Sequence, residues 1–134
     1  MQTIIQKIST VQRNVLERLG RRKKLTSQTL DFAIRDSILE ELEKQMLLLS
    51  PSSVNSTNRI LFGKEAESGN LTRYGSTKVQ VSFTLYDVDS NASLGPMTYA
   101  GVALGDMDAT PLSAYDMAEW QCLFDLIHNN QSIR

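Results

Sequence analysis

Between Lys78 and Leu85 the side chains alternate without a break. Val79, Val81, Phe83 and Leu85 are apolar; Lys78, Gln80, Ser82 and Thr84 are polar. Successive side chains of an extended chain point to opposite faces, so a period of two predicts a strand with one buried and one wet face. Tyr74 and Gly75 lead into it. Asp87 to Pro96 is rich in turn formers, and Met97 to Leu104 returns as a second strand weakened by Gly101. The two read as a long antiparallel hairpin, and its apolar face needs a cover.

The stretch Ser113 to Leu126 supplies one. Ala114, Ala118 and Cys122 recur every fourth position, which on a helix makes a low ridge along one side. Such a ridge lets a helix sit close against a sheet or a neighbouring subunit. Thr110 can cap this helix, Pro111 suits its first position, and Asn129 and Asn130 end it. Leu112, Tyr115, Leu123, Leu126 and Ile127 complete its apolar side.

Upstream, Ile4, Ile8, Val11, Val15 and Leu19 repeat at spacings of four and three, the stripe of a helix that Gly20 stops. A second helix follows the connector Arg21-Arg22-Lys23-Lys24. Ser27 or Thr29 can cap it, with Asp31 in its first turn. Ile34, Ile38, Leu42, Met46 and Leu49 line its apolar face, Glu40, Glu41, Glu43 and Lys44 are expected in solvent, and Ser50-Pro51 ends it. Residues 51–58 read as a loop, Arg59 to Phe62 as a short strand, and Lys64 to Asn70 as a polar loop. The expectation is one α+β domain over 1–134. Two helices occupy 1–50, and 51–109 hold an antiparallel sheet of three or more strands. A C-terminal helix over 110–130 completes it, with the helices on one face.

The 14 basic and 15 acidic residues give a net charge of -1, which is not the basic footprint usual for nucleic-acid binding. The spread is uneven: residues 1–50 carry nine basic and six acidic side chains, residues 51–134 five and nine. One cysteine excludes an intramolecular disulfide and fits a reducing compartment. No apolar run approaches the roughly 20 residues of a membrane span, and the N-terminus lacks a signal peptide's apolar core. A cytoplasmic protein without a membrane partner is expected.

Little in the chain carries catalytic chemistry. Asp87-Val88-Asp89-Ser90-Asn91 matches half of a calcium loop, but Ala92 and Thr98 stand where glycine and a bidentate glutamate are needed. It reads as a hairpin turn. Asp106 and Asp108 read as a polar loop rather than a metal site. Cys122 and His128 lie six apart on one helix and so face different sides. Neither a nucleophile motif nor a phosphate loop is present, and the reading is a non-enzyme without cofactor or metal. Tyr74, Tyr86 and Tyr99 are either base-stacking platforms or half-buried strand residues.

With these elements placed, the chain resembles the Erf family of phage single-strand annealing proteins. Ile8-Ser9-Thr10-Val11-Gln12 matches an I-x-x-V-Q phrase of the first helix, and Ile38 to Leu47 stand where a second helix lies. Asp87-Val88-Asp89-Ser90 is similar to the family's hairpin turn. Ser113, Ala114, Ala118, Leu123 and Leu126 match the last helix, with Cys122 for a small alanine. Asp116-Met117 and Glu119-Trp120 depart from it, and remove two basic residues.

The resemblance implies a ring or filament of subunits on single-stranded DNA, pairing strands without a nucleotide cofactor. It implies phosphate contacts from Arg21, Arg22, Lys23 and Lys24, then Arg59, Arg73 and Lys78, with Tyr74 as a stacker. The alternatives are a small oligomeric module that binds a protein partner, and a small-ligand binder or enzyme.

Overall fold

The computed structural model describes residues 2–20, 29–64, 69, 71–105 and 111–128, excepting the side chains of 60–64, 71–74, 104–105 and 111–113. Six elements follow in order: α1 (Ile4–Leu19), α2 (Phe32–Lys44), β1 (Leu47–Lys64), β2 (Leu71–Asp87), β3 (Ser93–Gly105) and α3 (Pro111–His128). The strands form an antiparallel sheet of order β1-β2-β3, so the fold is α+β. Among the described residues, no helix is long and apolar enough to cross a membrane.

Helix α1 opens with a capping box. Thr3 Oγ1 accepts from the Gln6 amide at 3.2 Å, and Gln6 Oε1 accepts from the Thr3 amide at 2.8 Å. Gly20 ends it at φ 68°, the left-handed region open to glycine. Helix α2 is capped by Asp31, whose Oδ1 accepts from the Ala33 and Ile34 amides. The cap is therefore Asp31 itself, not Thr29; Ser27 lies outside the described residues.

The end of α2 also differs from the sequence reading. The helix stops at Lys44, Met46 turns the chain at φ 58°, and Leu47 starts β1. Leu47 and Leu49 pair with Asp87 and Leu85, so long-range strand pairing displaces the helical period. Met46 is consequently exposed instead of lying on a helix's apolar face. Residues 51–58, expected as a loop, form the middle of β1. They lack an alternating pattern, and among the described residues nothing covers them. Val54 is 54% exposed, whereas its partner Val81 on β2 is fully buried. Pro51 sits at a register shift on this edge strand, where its missing N–H is tolerated.

The expected alternation on β2 holds on its apolar side, and on its polar side at every described position but Thr84, which is buried beside the register shift with β3. Thr77, Val79, Val81, Phe83, Leu85 and Asp87 all point to the helices and are buried. The turn reading of 87–91 also holds. Asp87 N donates to Ala92 O and Asn91 N donates to Asp87 O, both at 2.9 Å, with Asn91 at φ 59°.

Helix α3 docks as its ridge requires. Ala114, Ala118 and Cys122 are all fully buried. Gly101 of β3 lies directly beneath. A Cβ there would stand 2.7 Å from Ala118 N and 2.9 Å from the Ala114 carbonyl carbon, and closer still to that carbonyl's oxygen. The glycine that weakens the strand pattern is what admits the helix. Trp120 is also fully buried, so the position where the resemblance has a basic residue is here a core position. Glu119 beside it faces Arg35 of α2 at 3.7 Å. All the buried apolar side chains of helices and sheet join in one core.

Candidate nucleic-acid interface

Because α1, α2 and α3 share one side of the sheet, the opposite side is open among the described residues. Strand register fixes its residues. On β2 they are Ser76, Lys78, Gln80, Ser82 and Tyr86, alternating with the buried set; Thr84 has the same parity but is itself buried. Across β1 the partners are Arg59 for Ser76, Thr57 for Lys78, Asn55 for Gln80, Ser53 for Ser82 and Leu48 for Tyr86. Across β3, Val102 partners Lys78 and Thr98 partners Ser82.

One end of this face is cationic. Thr57, Arg59, Ser76, Lys78 and Val102 line a cleft of about 310 Å³. Two cationic side chains and two hydroxyls here converge on open solvent. Neither Arg59 nor Lys78 is held by a carboxylate among the described residues. The middle is neutral and polar, with the Ser82 and Thr98 hydroxyls 2.9 Å apart. The far end is apolar: Leu48 and Tyr86 stand opposite each other, 58% and 44% exposed. Met46 and Val88 flank them, joined by the Val88 amide donating to Met46 O at 3.0 Å.

Carboxylates are kept off this face. The only acidic residue on any of the three strands is Asp87, and it points inward. There Lys7 Nζ lies 2.7 Å from Asp87 Oδ1 and 2.9 Å from Asp89 Oδ2. The hydrogen bond from Lys7 holds the Asp87 carboxyl below the ordinary value, and hydrogen bonds to Asp87 and Asp89 push the Lys7 ammonium up. Glu41, expected in solvent, is buried against α1. Burial alone raises its pKa, but hydrogen bonds from Asn14, Lys44 and Arg18 bring it below the ordinary value.

The structure sorts the residues singled out from sequence. Arg59 and Lys78 come together in the cleft. Arg21, Arg22, Lys23 and Lys24 lie outside the described residues, as do Asp106 and Asp108. Arg73 and Tyr74 lie on β2 opposite Phe62 and Leu61, but their side chains fall outside the described set. Tyr99 turns toward α3 and donates its hydroxyl to Asp125 Oδ2 at 2.8 Å, so it is no platform. Burial and that hydrogen bond push its pKa up. Among the tyrosines whose side chains are described, Tyr86 is the exposed one. Sequence reasoning missed Thr57, Ser76 and Val102, because only strand register brings them beside the two cations.

Cys122 and His128 form no catalytic pair. The thiol is inside the core, where burial pushes its pKa up to about 12, and His128 packs on the Phe124 ring at 4.7 Å. Among the described residues no cluster of histidine, cysteine or carboxylate side chains is arranged to hold a metal ion. No protein family, curated protein or solved structure matches this chain.

Proposed function

We propose that this protein binds single-stranded DNA across the open face of its sheet and acts as an annealing protein of the Erf type, without a nucleotide cofactor. The observation that carries this reading is the segregation of charge. A chain of net charge -1 presents a whole sheet face with Arg59 and Lys78 and no carboxylate. Such a face suits a polyanion, whose phosphates lose counterions to the cations. The order of two helices, three strands and a closing helix agrees with the resemblance, and so does the alanine ridge. The basic run 21–24 is proposed to add phosphate contacts, with Arg73 and Tyr74 contributing beside the cleft.

The same reading includes a homo-oligomer. Among the described residues, no strand pairs with the outer edge of β1, and residues 51–59 are all exposed. An unpaired edge is a template on which a second chain can add a strand. Should this edge take a different chain instead, the protein becomes an interaction module for a protein partner.

Fluorescence anisotropy of labelled single-stranded DNA at two salt concentrations tests the DNA reading. Affinity is expected to fall as salt rises, with a slope of about 0.7 per phosphate contacted. The Arg59→Ala/Lys78→Ala double variant should bind more weakly and lose about 1.4 from that slope, for two contacts. Absence of binding by the wild type at low salt rejects the proposal. Mass measurement in solution reports the oligomer; a monomer at all concentrations removes it.

A further inference from the structure

We propose that Tyr86, with Leu48 beside it, is a nucleobase-stacking platform that holds the strand at the end of the sheet opposite the cationic cleft. The inference rests on the single-stranded DNA reading above and extends it from one contact point to two.

Three observations support it. Tyr86 and Leu48 face the same side of the sheet as Arg59 and Lys78, as register and alternation require. The pair is a solvent-facing apolar surface, Tyr86 44% and Leu48 58% exposed, with Met46 and Val88 at its margin. Between the two ends lie Asn55, Gln80, Ser53, Ser82 and Thr98, which are neutral and can accept or donate hydrogen bonds without repelling phosphate. Asp89, in the turn that follows, lies 2.9 Å from Lys7, whose single charge it shares with Asp87. Phosphate-binding cations at one end and an apolar ring at the other match the two chemistries of a single strand, a charged backbone and flat bases.

The spacing sets a footprint. Lys78 and Tyr86 are separated by eight residues of strand, roughly 26 Å at about 3.3 Å per residue. That length spans about eight stacked nucleotides at 3.4 Å each, and fewer if the strand is stretched. An aromatic face is sequence-tolerant, because every base presents a flat π surface. This suits a protein that leaves sequence reading to the strands it pairs.

The test compares wild type, Tyr86→Ala, Tyr86→Phe and Lys78→Ala. The probes are a thymidine oligonucleotide of about twelve residues, longer than the span requires, and an abasic oligomer of the same length. Tyr86→Ala is expected to weaken the thymidine oligomer roughly 5- to 150-fold, the range for loss of one stacked base. Tyr86→Phe keeps the ring and should bind as wild type. Tyr86→Ala should leave both the salt slope and the abasic affinity unchanged, whereas Lys78→Ala reduces both. Circular dichroism confirms that the variants are folded. A folded Tyr86→Ala that binds the thymidine oligomer like wild type overturns the platform while leaving the cleft in place, and assigns the patch to an apolar partner. A wild type that binds neither probe at low salt overturns the DNA reading and the platform together.

Discussion

Replacing Gly101 with alanine probes the packing on which the whole arrangement depends. The added Cβ would lie 2.7 Å from Ala118 N, where ordinary contact begins at 3.4 Å. Every close neighbour is α3 backbone, so no side chain can rotate out of the way. Relieving Ala118 N alone takes a retreat of about 0.7 Å, the difference between those distances, and the closer Ala114 O requires more. A gap of roughly 0.5–1 Å forfeits about a quarter to a half of each dispersion contact. That loss falls on fully buried Ala114, Ala118, Cys122 and Leu123. Overpacking by one methyl usually costs about 1–3 kcal/mol, and an immovable neighbour places this site at about 3 kcal/mol. At an unobstructed strand position the same change would stabilise by about 0.4–1 kcal/mol through the unfolded chain, so even the sign is informative.

Urea unfolding followed by the emission of Trp120, the one tryptophan and fully buried on α3, reports the docking directly. With a slope of about 2 kcal/mol per molar urea, the midpoint should fall by roughly 1–2 M. A midpoint equal to or above wild type would refute the close approach of α3 to β3.

Two further outcomes concern the ion pairs behind the interface. Asp87 has a folded pKa below its unfolded value, so its stabilising effect is present above about pH 4 and disappears as pH falls through the folded value. Lys7 has a folded pKa above its unfolded value, so its effect is present below about pH 10 and is lost as pH rises through the folded value. Thermal melts across pH should show a plateau between these limits, and Asp87→Asn should weaken the acid-side dependence; an unchanged profile counts against the pair. Arg35→Ala should destabilise by about 1–3 kcal/mol, because it leaves Asp116 and Glu119 facing each other without the cation now 3.1 and 3.7 Å away. Glu119 already has a raised pKa from burial, partly offset by Arg35, so its titration in the variant should move higher still. Urea midpoints and an NMR pH titration of the Glu119 carboxyl check both points.

Segregation of charge gives these pairs a second role. Arg18, Arg35 and Lys44 are paired with carboxylates of the helices, and Lys7 with Asp87 and Asp89 at the end of β2. Arg59 and Lys78 are left facing solvent on a surface where no acid competes with a ligand. A charge count over the chain averages the two environments and hides the difference.

What sequence alone determined was local and periodic. The alternation through Val79 to Leu85 specified β2 and its buried face, because pleating enforces a period of two. The repeat of Ala114, Ala118 and Cys122 specified the docking side of α3, because residues four apart share a helix face. The stripe from Ile4 to Leu19 and the stop at Gly20 specified α1. Tertiary structure alone decided the elements whose partners are distant. β1 carries no alternation over 51–58, since an edge strand without a helix above it needs no apolar face, and only its pairing with β2 makes it a strand. The same pairing ends α2 at Lys44, and packing against α1 draws Glu41 inside. The site follows that rule as well. Thr57 and Ser76 meet Arg59 and Lys78 through register, and Tyr99 takes the helix side because register sets it opposite buried Val81, where it reaches Asp125. Side-chain type is written locally, but the direction a side chain faces is set by contacts made across the chain.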